Sequence, residues 1–152
     1  MSRTFTVCTI RPFTFADFPA WLPLWNANNL GVINDAVTNE TWARMCDTQS
    51  AVNGLGAFQG QELVGLVHYV LHPTTGAIEP VCYMQDVFVS PAHRQKGIAR
   101  QLIEHLAALG RDQKWTRLYW LAENQNEAAQ ALYQSLGVHM DFSLHIMPLE
   151  TS

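Results

Sequence analysis

Apolar and polar positions follow two periods along the chain, and the places where the period changes mark out its elements. Residues 4–11 alternate as a half-buried strand does, while residues 51–59 and 62–72 are apolar runs joined at Gly60-Gln61, a hairpin signal. A third apolar, β-branched run covers residues 81–89. Between the strands, helical spacing takes over. Thr14 or Asp17 is placed to cap a helix reaching Asn28, with Pro19 in its first turn and Pro23 as an expected kink. Thr38 is placed to cap a short helix ending at Cys46. Residues 98–114 bring Ile98, Ala99, Leu102, Ile103, Leu106 and Leu109 to one face, in spite of Gly110, which costs a helix about 1 kcal/mol relative to Ala. A short strand at 118–122, a helix opening at Asn124 or Asn126 and closing at Gly137, and two last strands at 138–140 and 142–149 complete the pattern. No linker, repeat or low-complexity tract interrupts it, so one α/β domain over residues 1–152 is expected. Trp21 and Trp25, four apart on the first helix, and Trp42 on the second read first as core.

The pattern is organised around residues 84–100. A strand ends at Ser90-Pro91, a short polar turn carries Arg94 and Lys96, and Gly97 opens a helix. The first N–H groups of a helix have no intrahelical acceptor, and with the helix dipole they attract anions such as phosphate. Gly97 permits close backbone approach, Ala99 keeps the first turn small, and Arg94, Lys96 and Arg100 add positive charge with no acidic residue among them. GxGxxG is absent, and Gln95-Lys96-Gly97 is not the GKS or GKT of a P-loop. What stands there is RxxGxA, from Arg94 through Gly97 to Ala99.

Composition narrows the field. A chain of 152 residues that is 48% hydrophobic can bury a substantial core. Its net charge of −4 argues against general nucleic-acid binding, and its uncharged run at residues 63–78 is too short and too broken by Pro and Gly to span a bilayer. Cys8, Cys46 and Cys82 suit reduced thiols in a cytoplasmic protein, and with no CxxC or HExxH no metal site is expected. Charge is divided unevenly. Residues 12–93 hold one basic residue, Arg44, against seven acidic ones, whereas residues from 94 onward hold six of each. That half is either a solvated acidic face or the wall of a cleft for a cationic acceptor.

The RxxGxA segment, with a strand before it and an amphipathic helix after it, resembles the coenzyme-A signature of the GNAT superfamily of N-acetyltransferases. Residues 83–89 and Leu118-Tyr119-Trp120 are similar to the branch holding diamine acetyltransferases and the yeast histone and D-amino-acid acetyltransferases. Asn126, Ala129, Leu132 and Tyr133 match that family's NxxAxxLY helix. The resemblance implies a mixed, mostly antiparallel sheet of six or seven strands, flanked by about four helices, with a central parallel pair that splays around acetyl-CoA. It implies that backbone groups of Val87, Phe88 and Val89 hold the pantetheine arm, and that an N–H near Val89 polarises the thioester carbonyl. Gln95, Lys96, Gly97, Ile98, Ala99 and Arg100 would meet the pyrophosphate, with Asn124, Asn126 and Ala129 adding coenzyme contacts from the last helix.

Tyr133 lies between Leu132 and Leu136, where spacing alone makes it core. The resemblance instead sets its phenol beside the coenzyme sulfur as general acid. Direct attack by an amine needs no protein nucleophile, so Cys46 and Cys82 are given no covalent role. One position departs from the pattern. Diamine acetyltransferases carry Glu where this chain has Gln85, which takes no proton at neutral pH. Asp86 is counted as a catalytic candidate, although strand alternation would turn it away from the face of Gln85; Glu79, Tyr83 or a water chain are the other bases open. The expected activity is acetyl transfer from acetyl-CoA to a primary amine of a small molecule, in a homodimer as is frequent in the family. The alternatives are a protein or peptide N-acetyltransferase and a coenzyme-A-binding regulator without catalysis.

Overall fold

The computed structural model describes residues 6–149. Residues through Leu121 form one compact body and those from Ala122 a second. In the first, β1 (Thr9–Pro12) leads through a single 3-10 turn into α1 (Phe18–Asn28) and α2 (Asp35–Cys46). The chain continues through β2 (Val52–Gln59), β3 (Glu62–His72), β4 (Val81–Val89), α3 (Ile98–Gln113) and β5 (Leu118–Tyr119). The second body holds α4 (Glu127–Leu136).

The sheet runs β1-β2-β3-β4-β5, antiparallel as far as β4 and parallel between β4 and β5. Among the described residues, five strands therefore stand where six or seven were expected. The shortfall falls on residues 138–149, which carry no strand although apolar residues alternate there. Val138, Met140, Phe142, Leu144 and Ile146 are all exposed. Alternation prepares a buried face, but a strand also needs a neighbour to accept its ladder bonds, and the alternation does not name one. The first strand is shorter than expected; Thr4 and Phe5 lie outside the described residues.

Two caps also differ from expectation. Asn34, not Thr38, caps α2 by accepting from the Val37 N–H at 3.2 Å. Thr38 is buried inside that helix, where its hydroxyl accepts from the Trp25 indole at 2.8 Å. Gly137 ends α4 in extended backbone (φ −148°) rather than in the left-handed conformation a C′ glycine usually supplies.

The core facing α1 and α2 is aromatic. Trp21 stacks on Trp25 with centroids 5.0 Å apart and lies 4.9 Å from Trp42, with Phe13 and Phe58 in the same cluster. All three indoles are buried, so none presents a cation–π face to a ligand. On the other face of the sheet, Ile98, Leu102, Ile103 and Leu106 of α3 are buried as their spacing predicts, with Leu109 and Ala99 half-buried. Gly110 has a packing reason: a Cβ there would come within 2.7 Å of the Trp115 ring. The helix accepts the propensity cost of that glycine to seat an indole.

Candidate active site

Strand β4 changes character along its length. At its start it pairs with β5 through Cys82↔Leu118 and Tyr83↔Tyr119, and the Cys82 N–H donates to Arg117 O at 2.9 Å. From Met84 onward β4 has no strand on that side among the described residues. Which backbone groups point there is set by a bulge. Against β3, His68 pairs with Asp86 and Tyr69 with Met84, leaving Gln85 as an extra residue. Cys82 faces β5, whereas eight positions on Ser90 donates back to Val64 O of β3 at 2.9 Å. With one inserted residue between them, the N–H and C=O groups of Val87 and Val89 face the open side and those of Phe88 face β3. Val87 and Val89 therefore present backbone groups where the pantetheine contacts were expected, and Phe88 does not. The Phe88 side chain packs against the aromatic core instead.

The strand runs on into the start of α3. Gln95 (φ +62°) and Gly97 (φ +76°) are both left-handed, and Gly97 occupies the cap position with no side chain to fill it. The first intrahelical bond runs from the Gln101 N–H to Gly97 O at 3.1 Å. The amides of Ile98, Ala99 and Arg100 thus stand ahead of the ladder, with no acidic residue in the first turn. Ile98 offers only its amide, since its side chain is in the core. Two of the three cations have protein partners as well. Arg94 Nε donates to Val89 O at 3.0 Å with its guanidinium over the Phe88 ring, and Arg100 pairs with Glu104 at 3.3 Å. Arg94 is a strap between the turn and the strand end, while Lys96 sits half-buried in the loop.

Gln101 holds this loop to the chain ahead of β1. Its amide nitrogen donates to Thr6 O and to Gly97 O, its oxygen accepts from the Cys8 N–H at 3.1 Å, and Thr6 N–H donates to Lys96 O at 3.1 Å. The motif pattern offered no sign of this residue, because it lies on the helix between apolar positions and beyond the glycine.

Asp86 sits on the α1 face of β4. Its carboxylate lies 2.9 Å from His68 Nδ1, while His68 Nε2 accepts from the Trp21 indole N–H at 3.0 Å. Burial pushes the Asp86 carboxyl upward, but the contact with His68 and a hydrogen bond from Asn28 outweigh it and hold it below the usual carboxylate value. Alternation had set Asp86 opposite Gln85. The bulge removes that premise, and it is Asp86 that is oriented by neighbours while Gln85 is exposed. The other bases fit less well. Tyr83 is held as a phenol by burial and by its neighbours Tyr119 and Asp86, and Glu79 is exposed on the loop before β4. Burial raises all three thiols, Cys82 to about 12, which suits the absence of a covalent role.

In the second body, Asn126 caps α4 by accepting from the Ala129 N–H at 3.1 Å. The Ala129 amide is thus already bonded to the Asn126 oxygen, while the Asn126 amide nitrogen is a donor that this cap does not use. Asn124 is exposed in the turn before the helix. Tyr133 is half-buried, and burial raises its phenol above the ordinary value. It therefore carries a proton to give at neutral pH.

An antiparallel sheet that ends in one briefly paired parallel strand, with the freed edge running into an uncapped helix start, is the arrangement that the GNAT resemblance implied. Residues 17–138 match the family model described as Acetyltransferase (GNAT) family. The chain belongs to that family and is an N-acetyltransferase, so the reading as a regulator without catalysis falls away. It is 31% identical over 134 residues to the D-amino-acid N-acetyltransferase HPA3 of Saccharomyces cerevisiae, covering 85% of this chain and 83% of that one. It is 36% identical over 87 residues to the thialysine N-epsilon-acetyltransferase of Caenorhabditis elegans, covering 57% and 53%. Among solved structures, the aminoglycoside acetyltransferase AAC(6')-Iy with a bisubstrate analog superposes with a TM-score of 0.81 at 18% identity, over 96% of this chain and 100% of that one. The ribosomal-protein-alanine N-acetyltransferase of Brucella melitensis superposes with 0.79 at 22% identity, over 94% and 100%, and both show the fold.

Proposed function

We propose that this enzyme transfers the acetyl group of acetyl-CoA to the primary amine of a small cationic molecule, an amine or amino-acid derivative, by direct attack. The observation that carries the reading is the phase of β4. One strand turns the backbone groups of Val87 and Val89 to an open edge suited to the pantetheine and its thioester, and the carboxylate of Asp86 to the α1 face, suited to an ammonium. The start of α3 after Gly97 suits the pyrophosphate, with amides of Ile98, Ala99 and Arg100 and the charge of Lys96. The relatives named for D-amino acids and thialysine support an acceptor of this class.

The ammonium of the acceptor first loses a proton, to Asp86 or through water to the solvent. The amine nitrogen then adds to the thioester carbon, and the Val89 N–H stabilises the oxyanion that forms. Collapse breaks the C–S bond; the phenol of Tyr133 donates its proton to the departing thiolate, and the second proton that the nitrogen loses as the amide forms returns through water to the phenolate. Gln85, neutral throughout, accepts a hydrogen bond from the acceptor but takes no proton, which predicts looser selection than in an enzyme with Glu there. The acidic half of the chain attracts a cation and, by favouring its charged form, raises the amine's pKa, so rates rise with pH until the amine is neutral.

The test is release of free coenzyme-A thiol with a panel of amines at two ionic strengths. Thialysine, lysine and D-amino acids are expected to be acetylated, with KM rising as salt is added. A preference for anionic or uncharged acceptors, or for peptides over small amines, would sink the acceptor assignment.

A further inference from the structure

His68 lies at the middle of β3, and nothing in the reaction described above uses it. Its ring is 4% exposed, whereas the Asp86 side chain beside it is 27% exposed. An acceptor can therefore reach the carboxylate but not the imidazole. Behind His68 stands Trp21, fully buried, with its indole N–H on Nε2. We infer that His68, backed by Trp21, is a positioning residue that aims the Asp86 carboxylate at the ammonium of the acceptor, an inference that rests on the acetyl-transfer reading above.

The chemistry of the three groups leaves one arrangement. An indole nitrogen donates and never accepts, so Nε2 of His68 must offer its lone pair. The ring proton then stands on Nδ1 and is donated to the carboxylate at 2.9 Å. The opposite tautomer would set N–H against N–H on one side and a lone pair against a carboxylate on the other. Trp21 thus selects the tautomer, and the tautomer holds one carboxylate oxygen, as an orienting partner does for a catalytic or metal-bound group. Asn28, from the end of α1, donates to the same carboxylate. Other groups around the pair are Trp25 of α1, whose ring lies 5.7 Å from that of His68, Gly54 of β2 opposite His68, and Tyr83 of β4, a phenol that senses the Asp86 charge. None of these groups is a cation that would compete with the acceptor's ammonium for the carboxylate.

Two measurements test this. In the intact enzyme, nitrogen-15 NMR of the histidine rings should find His68 protonated at Nδ1; a proton on Nε2 would overturn the relay whether or not the enzyme acetylates anything. With thialysine as acceptor, His68→Leu should raise the acceptor KM by about tenfold, the weight of one hydrogen bond to a charged group, with the acetyl-CoA KM unchanged. His68→Asn, whose amide can still donate to Asp86, should recover most of that loss. In an Asp86→Asn background His68→Leu should add nothing, because the effect passes through the carboxylate. An equal loss in both backgrounds would reduce His68 to a packing residue and overturn the proposal. Should His68→Leu not fold, Trp21→Phe takes its place, with a smaller Nδ1–H population and a higher acceptor KM expected and unchanged values counting against. A wild-type enzyme that acetylates neither thialysine nor a D-amino acid removes the acceptor reading and the aiming role together, leaving the tautomer as a structural fact.

Discussion

The helices α3 and α4 begin in opposite ways. At α4, Asn126 closes the helix start by accepting from the Ala129 amide. At α3, Gly97 stands in the same position with nothing to donate or accept from a side chain, and the amides of Ile98, Ala99 and Arg100 point out beyond it. A helix that supplies its own cap has its stability settled locally, whereas one left open with cations and no carboxylate in its first turn is completed by an anion. In the proposed reaction, α3 contributes backbone and α4 contributes a side chain, Tyr133.

The largest test of the contrast is Tyr133→Phe. The ring still packs, so coenzyme affinity should stay within about twofold, while kcat falls by roughly 100-fold or more, the range for a lost general acid. Because burial raises this phenol above its ordinary value of 10.0, the loss of rate that comes from deprotonating it is centred above that pH, and the variant should lack that alkaline limb. An unchanged kcat would show that α4 too is only scaffold.

Next in size is Gly97→Val. The left-handed φ of +76° costs a β-branched residue about 1–2 kcal/mol, and the side chain crowds the amides that meet phosphate. Calorimetry should find coenzyme A bound roughly tenfold to 100-fold more weakly, a larger loss than thermal unfolding reports; equal affinity would contradict the role given to this turn. Asn126→Ala reverses the balance: about 1 kcal/mol of stability is lost with the cap, and coenzyme affinity moves by less than about threefold. The smallest effect belongs to Lys96→Gln, about twofold to threefold in coenzyme affinity at low salt and vanishing as salt screens the charge.

The sequence made some of this readable and hid the rest for identifiable reasons. β3 and β4 begin and end where their apolar runs do, and α3 buries the face its spacing sets, because long periodic segments carry their own registration. The turn proposed for the pyrophosphate stood out because Arg94, Gly97 and Ala99 are chemically unusual in combination. The bulge was not, since Gln85 looks like any other strand residue and its effect lies wholly in backbone register against β3. His68 stayed hidden for a related cause: its partner Asp86 is eighteen positions away, and only the pairing of two strands brings them together. Gly110 was legible as a cost but not as an accommodation, because the ring it admits belongs to Trp115 beyond the helix end. Residues 138–149 mislead in the other direction, showing the alternation of a strand without the neighbour that makes one.

The extra residue in β4 lets one strand keep two registers against β3, Met84 opposite Tyr69 before it and Asp86 opposite His68 after it. Were Gln85 deleted, those two pairs would become neighbours in an unbroken ladder, so Asp86 would keep its place opposite His68, and Val87 and Val89 would keep the open edge. What would go is the local bend and added twist that a bulge supplies, just beyond the last residues paired with β5. In genetic terms, the length of the strand at position 85 is free as far as register is concerned, and its variation would alter the angle at which β4 leaves β5.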